Sequence, residues 1–218
     1  MVNAVERLVA GHQSFRSRYY SHRPERMREL AAEGQHPEVM LIACVDSRVD
    51  PALVLDTEPG ELFIVRNVAN LVPPYGPDQG LHGTSAALEY GVRDLKVKNI
   101  IVLGHSGCGG IEALREAMAG GPQKREFMAH SMDIVADACA CMQGAGVPSS
   151  SEVEREVLQV SLRNLNGFPW VAAGIEAGTL DVRGWWVDLQ NGQLCEIEPE
   201  TGVLRDVVTG EEVVDGAL

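Results

Sequence analysis

The stretch Asn99–Gly110, NIIVLGHSGCGG, decides how this chain folds. Ile100, Ile101, Val102 and Leu103 form a short unbroken apolar run, the pattern of a parallel strand covered on both faces. The run stops at Gly104 and gives way to His105, Cys108 and the pair Gly109-Gly110. Glycines at such a place let the chain turn sharply and bring its amides close to whatever is bound. The following residues, IEALREAM, have helical spacing, so the loop also opens a helix whose first N–H groups point back at it. The reading is a strand that delivers metal ligands into a loop.

A second strand end lies upstream. In VMLIACVDSR, Val39 to Arg48, another apolar run ends in a soft ligand, Cys44, with Asp46 and Arg48 close behind. Between the two, ELFIVR at 61–66 reads as a strand entered through the Pro59-Gly60 turn, and 51–55 as a short helical turn. PPYGP at 73–77 forces a stiff irregular loop, and 84–94 reads as a helix capped by Thr84 or Ser85. Strands separated by helices, with candidate ligands at the carboxyl ends of two strands, indicate an α/β fold with a mostly parallel central sheet flanked by helices. The glycine-rich loop has neither the Lys-Ser/Thr of a Walker sequence nor dinucleotide-fingerprint spacing.

Toward the amino terminus, Val5, Leu8 and Val9 put an apolar stripe on one helix, and Met27 to Glu33 reads as a second, ended by Gly34. This arm, residues 1–34, either closes the core from outside or packs on a partner subunit. Toward the carboxyl terminus, 125–142 reads as helical between turn-forming flanks at 120–123 and 144–151. Ser151 with Glu154 resembles a capping box opening a helix to about Asn166, and Pro169 starts another ended by Gly178. Asn191-Gly192 between alternating segments predicts a hairpin that adds antiparallel edge strands. Cys139, Cys141 and Cys195 read as ordinary, inert residues of helix and strand.

At 218 residues with 45% apolar content, the chain fits one domain, 1–218, that buries roughly 70% of its unfolded surface. A formal charge of −13 disfavours nucleic acid and anionic membrane, each of which needs a basic face. No apolar run approaches the length of a membrane span and no signal-like block opens the chain, so a cytoplasmic location is expected. Five cysteines without framework spacing fit a reducing compartment.

Cys44-x-Asp46-Ser47-Arg48 together with Gly104-His105-Ser106-x-Cys108-Gly109-Gly110 resembles the β-class carbonic anhydrases, and the likeness continues through RNVANLVPPY at 66–75 and ALEYGV at 87–92. The resemblance implies a zinc enzyme that interconverts carbon dioxide and bicarbonate as a homodimer or higher assembly. Cys44, His105 and Cys108 would be the ligands of one Zn2+ per subunit, a Cys2His set that leaves a fourth position open. Water held there ionises far more easily than in bulk, and two thiolates that cancel the metal's charge call for something nearby that favours the hydroxide. Asp46, kept ionised by Arg48, is the candidate that accepts the hydroxide's hydrogen and aims its lone pair.

Some members of that family close the site by swinging the aspartate onto zinc, a form associated with a tryptophan, an arginine and a late tyrosine. The matching positions here are Leu41, Arg66 and Val187, so only the arginine is kept, and the likeness is to the open, plant-like group. That group's substrate pocket implies roles for Gln35, Phe63 and Tyr90, in a cleft between subunits, and for Gly109. Arg66 is expected to tie the strand end or the dimer interface. His12, His22, His36, His82 and His130 lack ligand spacing and are expected at the surface, with His82 as the candidate proton relay. Two other readings are a hydrolase of carbonyl sulfide or carbon disulfide on the same scaffold, and a non-catalytic zinc-stabilised binding module, which would need a fourth protein ligand.

Overall fold

A computed structural model describes residues 3–78, 80–121, 125–142 and 147–213. Its strands are β1 (Val39–Cys44), β2 (Leu62–Asn67), β3 (Asn99–His105), β4 (Asp181–Val187), β5 (Leu194–Ile197) and β6 (Leu204–Asp206). They form one sheet in the order β2-β1-β3-β4-β5-β6, parallel through the first four and antiparallel at β5 and β6. The expected mostly parallel sheet with antiparallel edge strands is what forms.

The helices are α1 (Ala4–Arg16), α2 (Pro24–Glu33), α3 (Pro51–Val54), α4 (Gly83–Glu89), α5 (Gly109–Met118), α6 (Glu126–Cys141), α7 (Ser150–Asn166) and α8 (Pro169–Glu176). Alternate residues of β1 and β3 go to opposite faces, as the pleat requires. Met40, Ile42, Ile100 and Val102 pack with Leu158, Leu162 and Leu165 of α7, and with Trp186. Leu41, Ala43, Ile101 and Leu103 pack on the other face with Val187. Both faces are covered, which is why these strands read as unbroken apolar runs.

The arm behaves differently from the rest. Neither α1 nor α2 contributes a buried residue, and Val5, Leu8 and Val9 are 68%, 74% and 54% exposed. Within the chain, the apolar stripe of α1 is uncovered.

Two local expectations are corrected, both at helix starts. The capping box of α7 is Ser149 with Glu152, not Ser151 with Glu154: Ser149 N–H donates to the Glu152 carboxylate at 2.7 Å and Glu152 N–H to the Ser149 hydroxyl at 3.3 Å. Both pairs have the right spacing, but Glu154 shares the inward face with Val153, Val157 and Leu158 and is drawn inside. Helix α4 is preceded by His82 as its cap residue with no side-chain cap bond, and the Thr84 hydroxyl instead receives the Asn67 amide at 3.1 Å. The expected hairpin between β4 and β5 forms around Asn191-Gly192, with a connection that runs from 188 to 193. Asp188 is held inward there by the hydroxyl of Ser106 at 3.1 Å. Residues 122–124 and 143–146, parts of the expected turns flanking α6, lie outside the described residues, as does the side chain of Cys141. Cys139 and Cys195 are buried and free.

Candidate metal centre

Parallel pairing of β1 with β3 sets Ala43 beside Leu103, so both strands end at the same edge of the sheet. Cys44 ends β1, His105 ends β3, and Cys108 caps α5 at the far side of the loop. The three ligand atoms lie within 4.8 Å of one another, all three residues are buried, and they form a single cluster of metal-ligating groups among the described residues.

Their spacing fits a tetrahedral ion. Two sulfurs each about 2.3 Å from zinc at a tetrahedral angle stand about 3.8 Å apart, and Cys44 Sγ and Cys108 Sγ are 3.8 Å apart. His105 Nδ1 lies 2.9 Å from the Ser106 carbonyl, which can only accept, so Nδ1 carries the proton and Nε2 keeps its lone pair. That Nε2 is buried without a hydrogen-bond partner. A buried ring nitrogen left bare beside two sulfurs fits a metal ligand far better than a core histidine, which would be satisfied.

Each sulfur also receives backbone amides. Asp46 N–H points at Cys44 Sγ at 3.4 Å, joined by the amide of Ala69, while Gly110 and Ile111 of α5 donate to Cys108. A hydrogen bond from the Cys108 thiol, opposed by desolvation, holds Cys44 well below the usual thiol range. The Ala69 amide is delivered by a strained turn, with Ala69 at φ 61° and Asn70 at φ 48°. Asn67 straps it, accepting from Leu71 N–H at 2.8 Å and donating to the Leu71 carbonyl at 2.7 Å. At Gly110 a Cβ would stand 2.6 Å from the Val68 side chain, so any other residue would have to displace it.

Asp46 and Arg48 form a two-pronged pair, Nε to Oδ1 at 3.0 Å and Nη2 to Oδ2 at 2.8 Å, and the Arg48 amide adds a third bond at 3.0 Å. The guanidinium bond keeps the Asp46 carboxyl far below the usual carboxylate range. Arg48 reaches on to the Gly107 carbonyl at 2.9 Å and so ties the two ligand loops together. Arg66 fixes the other side, donating to the carbonyls of Cys44 and Asp46 and to the Asp50 carboxylate at 2.9, 2.8 and 2.8 Å. Of the two roles expected for Arg66, tying the strand end is the one found within the chain.

Gln35, Phe63 and Tyr90 are not beside these groups. Phe63 pairs with Met40, four residues before Cys44 and so about 13 Å from that end of the strand. Tyr90 packs on Phe63 with ring centroids 5.9 Å apart, and Gln35 precedes β1, whose far end carries Cys44. Gly109 opens α5 next to Cys108 and is exposed. The five other histidines are exposed, and His82 pairs with Asp78 at 2.6 Å. Glu154 was not foreseen here. Only 3% exposed, it accepts from Gly107 N–H at 2.8 Å and from the Trp186 indole at 3.3 Å. An acidic residue on the apolar face of α7 was the one available signal.

The chain is similar to proteins of known activity. A family model described as "Carbonic anhydrase" matches residues 39–194. The chain is 33% identical over 217 residues to a Synechocystis carbonic anhydrase, covering 97% of this chain and 76% of that protein. It is 38% identical over 209 residues to β carbonic anhydrase 3 of Arabidopsis thaliana, covering 92% and 80%. Among solved structures, the β-carbonic anhydrase CcaA superposes with a TM-score of 0.76 at 30% identity, over 96% of this chain and 91% of that one. A tetrameric β-carbonic anhydrase of Sordaria macrospora superposes with a TM-score of 0.71 at 26% identity, over 89% and 96%.

Proposed function

The chain belongs to the β-class carbonic anhydrases, and from that premise we propose that it interconverts carbon dioxide and bicarbonate using one zinc ion per subunit held by Cys44, His105 and Cys108. The observation that carries the reading is a buried three-ligand cluster beside a carboxylate whose two oxygens are both held by one arginine. Zinc in such a set supplies a water that ionises far more readily than bulk water.

The chain's own groups do the rest. Asp46, ionised and acceptor-only, takes the hydrogen bond of the nucleophile's O–H and leaves a lone pair free to face the carbon of carbon dioxide. Arg48 prevents the carboxylate from rotating away and from becoming a fourth ligand. The amides aimed at the two sulfurs draw charge from the thiolates, which offsets the neutralising effect of a two-sulfur set. One proton passes to solvent for each bicarbonate formed. Thiolate ligands suit a reducing cytoplasm. Among the described residues, no helix is long and apolar enough to cross a membrane.

The substrate wall comes from a second copy. Gln35, Phe63 and Tyr90 lie toward the wrong end of β1 to serve their own metal ligands, so we assign them to the cleft of a neighbouring subunit, and Gly109 to the substrate side of its own cluster. Phe63 gives the apolar wall that a linear nonpolar gas needs, and Gln35 a donor for its oxygen. The bare stripe of α1 supports the same assembly, and the tetrameric Sordaria enzyme supports association in the family. Removing residues 1–33 should shift the protein from dimer to monomer in light scattering after size exclusion, with hydration activity falling with it; a fully active truncated monomer would refute the shared cleft.

The reading itself is tested by stopped-flow hydration with zinc-analysed protein over about pH 6 to 9, a range that spans titration of the nucleophile. Stoichiometric zinc and fast hydration are expected. Sulfide release from carbonyl sulfide that outpaces hydration would instead assign the scaffold to that substrate.

A further inference from the structure

The Ser106–Gly107 peptide is held at both ends. Its carbonyl lies 2.9 Å from His105 Nδ1, and its N–H lies 2.8 Å from Oε1 of Glu154, a carboxylate on α7 that is 3% exposed. The two groups of a trans peptide point in opposite directions, so a carboxylate gripping the N–H fixes where the carbonyl points. Gly107, at φ 65° and without a Cβ, offers little resistance of its own to rotation of that peptide. The Ser106 N–H bond to the Val187 carbonyl at 2.9 Å anchors the preceding peptide and leaves this one free.

We propose that Glu154 sets the tautomer and orientation of His105 through this peptide, forming a carboxylate–peptide–imidazole relay behind the metal ligand. Glu154 is then a positioning residue. The Glu154 carboxyl oxygen accepting from this N–H polarises the amide and makes its carbonyl a stronger acceptor for Nδ1–H. That keeps the proton on Nδ1 and the lone pair on Nε2, the atom left bare in the cluster. Carboxylates bonded directly to metal-binding histidines act in this way, and here one peptide unit extends the reach. Glu154 is itself held by the Trp186 indole on its second oxygen at 3.3 Å, with a weaker contact from Cys108 N–H at 3.5 Å.

The inference rests on His105 being a metal ligand, and the test separates the two. Metal-free protein labelled with 15N histidine would be examined for the His105 tautomer and for a downfield Nδ1 proton, and zinc affinity measured by chelator competition. Wild type should show the Nδ1–H form and bind zinc. Wild type that binds no zinc refutes the ligand assignment. In Glu154→Ala, mixed tautomers and an affinity loss of about 10- to 100-fold are expected. Glu154→Gln keeps an acceptor for Gly107 N–H, so it should keep the tautomer while its Nδ1 proton moves upfield. Trp186→Phe, which leaves the Gly107 bond intact, serves as the control for disturbed packing and should keep both tautomer and proton shift. Wild-type tautomer and zinc affinity in the Ala variant would overturn the relay. Should that variant fail to fold, an unmoved Nδ1 proton in the Gln variant would overturn it alone.

Discussion

Asp46→Asn should leave zinc bound at full stoichiometry and lower carbon dioxide hydration by about two orders of magnitude or more. Arg48 needs two acceptors for its fork, and the wild-type carboxylate gives both, at 3.0 and 2.8 Å. An amide gives one acceptor and turns its NH2 either toward the guanidinium or toward the nucleophile. In the first case the pair loses a prong; in the second the group that should accept a hydrogen donates one. Metal retention follows because the sulfurs and the imidazole are held by other bonds, from the amides of Ala69, Gly110 and Ile111 and from the Ser106 carbonyl. Arg48→Lys should fall between wild type and Asp46→Asn, since it keeps the charge without the fork. Zinc-loaded Asp46→Asn with near-normal turnover would remove Asp46 from the mechanism.

The largest loss should follow from replacing the proposed ligands. His105→Ala, or Cys44→Ser, should reduce bound zinc to background after dialysis against a chelator and bring hydration down to the uncatalysed rate. An ion kept by these three side chains would find no spare donor in Asp46, whose carboxylate is committed to Arg48. Cys44→Ser also places a harder and smaller atom where two amides converge on sulfur. Zinc measured by atomic absorption in folded variant protein decides the matter. Stoichiometric zinc with unaltered hydration in either variant would place the catalytic centre elsewhere.

Much of the site was readable because its chemistry is local. Cys44, Asp46 and Arg48 lie within five residues, and His105 and Cys108 within four, each group at a strand end announced by an apolar run. The supporting groups were not readable, since nothing local distinguishes them. Ser151-Glu154 and Ser149-Glu152 have the same spacing, and only the packing of α7 against the sheet decides which glutamate caps the helix and which enters the site. Arg66 could be placed at a strand end, yet its hold on two carbonyls and Asp50 depends on the pairing of β2 with β1.

By itself, then, the sequence pointed to the parallel sheet, to Cys44, His105 and Cys108 as one cluster of metal-ligating groups, and to the Asp46-Arg48 pair, because hydrophobic period and ligand type are properties of short segments. Only the tertiary structure decided that the sulfurs stand at the spacing of a tetrahedral ion and that His105 Nε2 is bare. It likewise placed Glu154 behind the loop and set Phe63 and Tyr90 apart from the ligands of their own chain. The physical reason is register: which atoms meet across strands and helices is fixed by how whole elements pack, and no window of sequence contains that information.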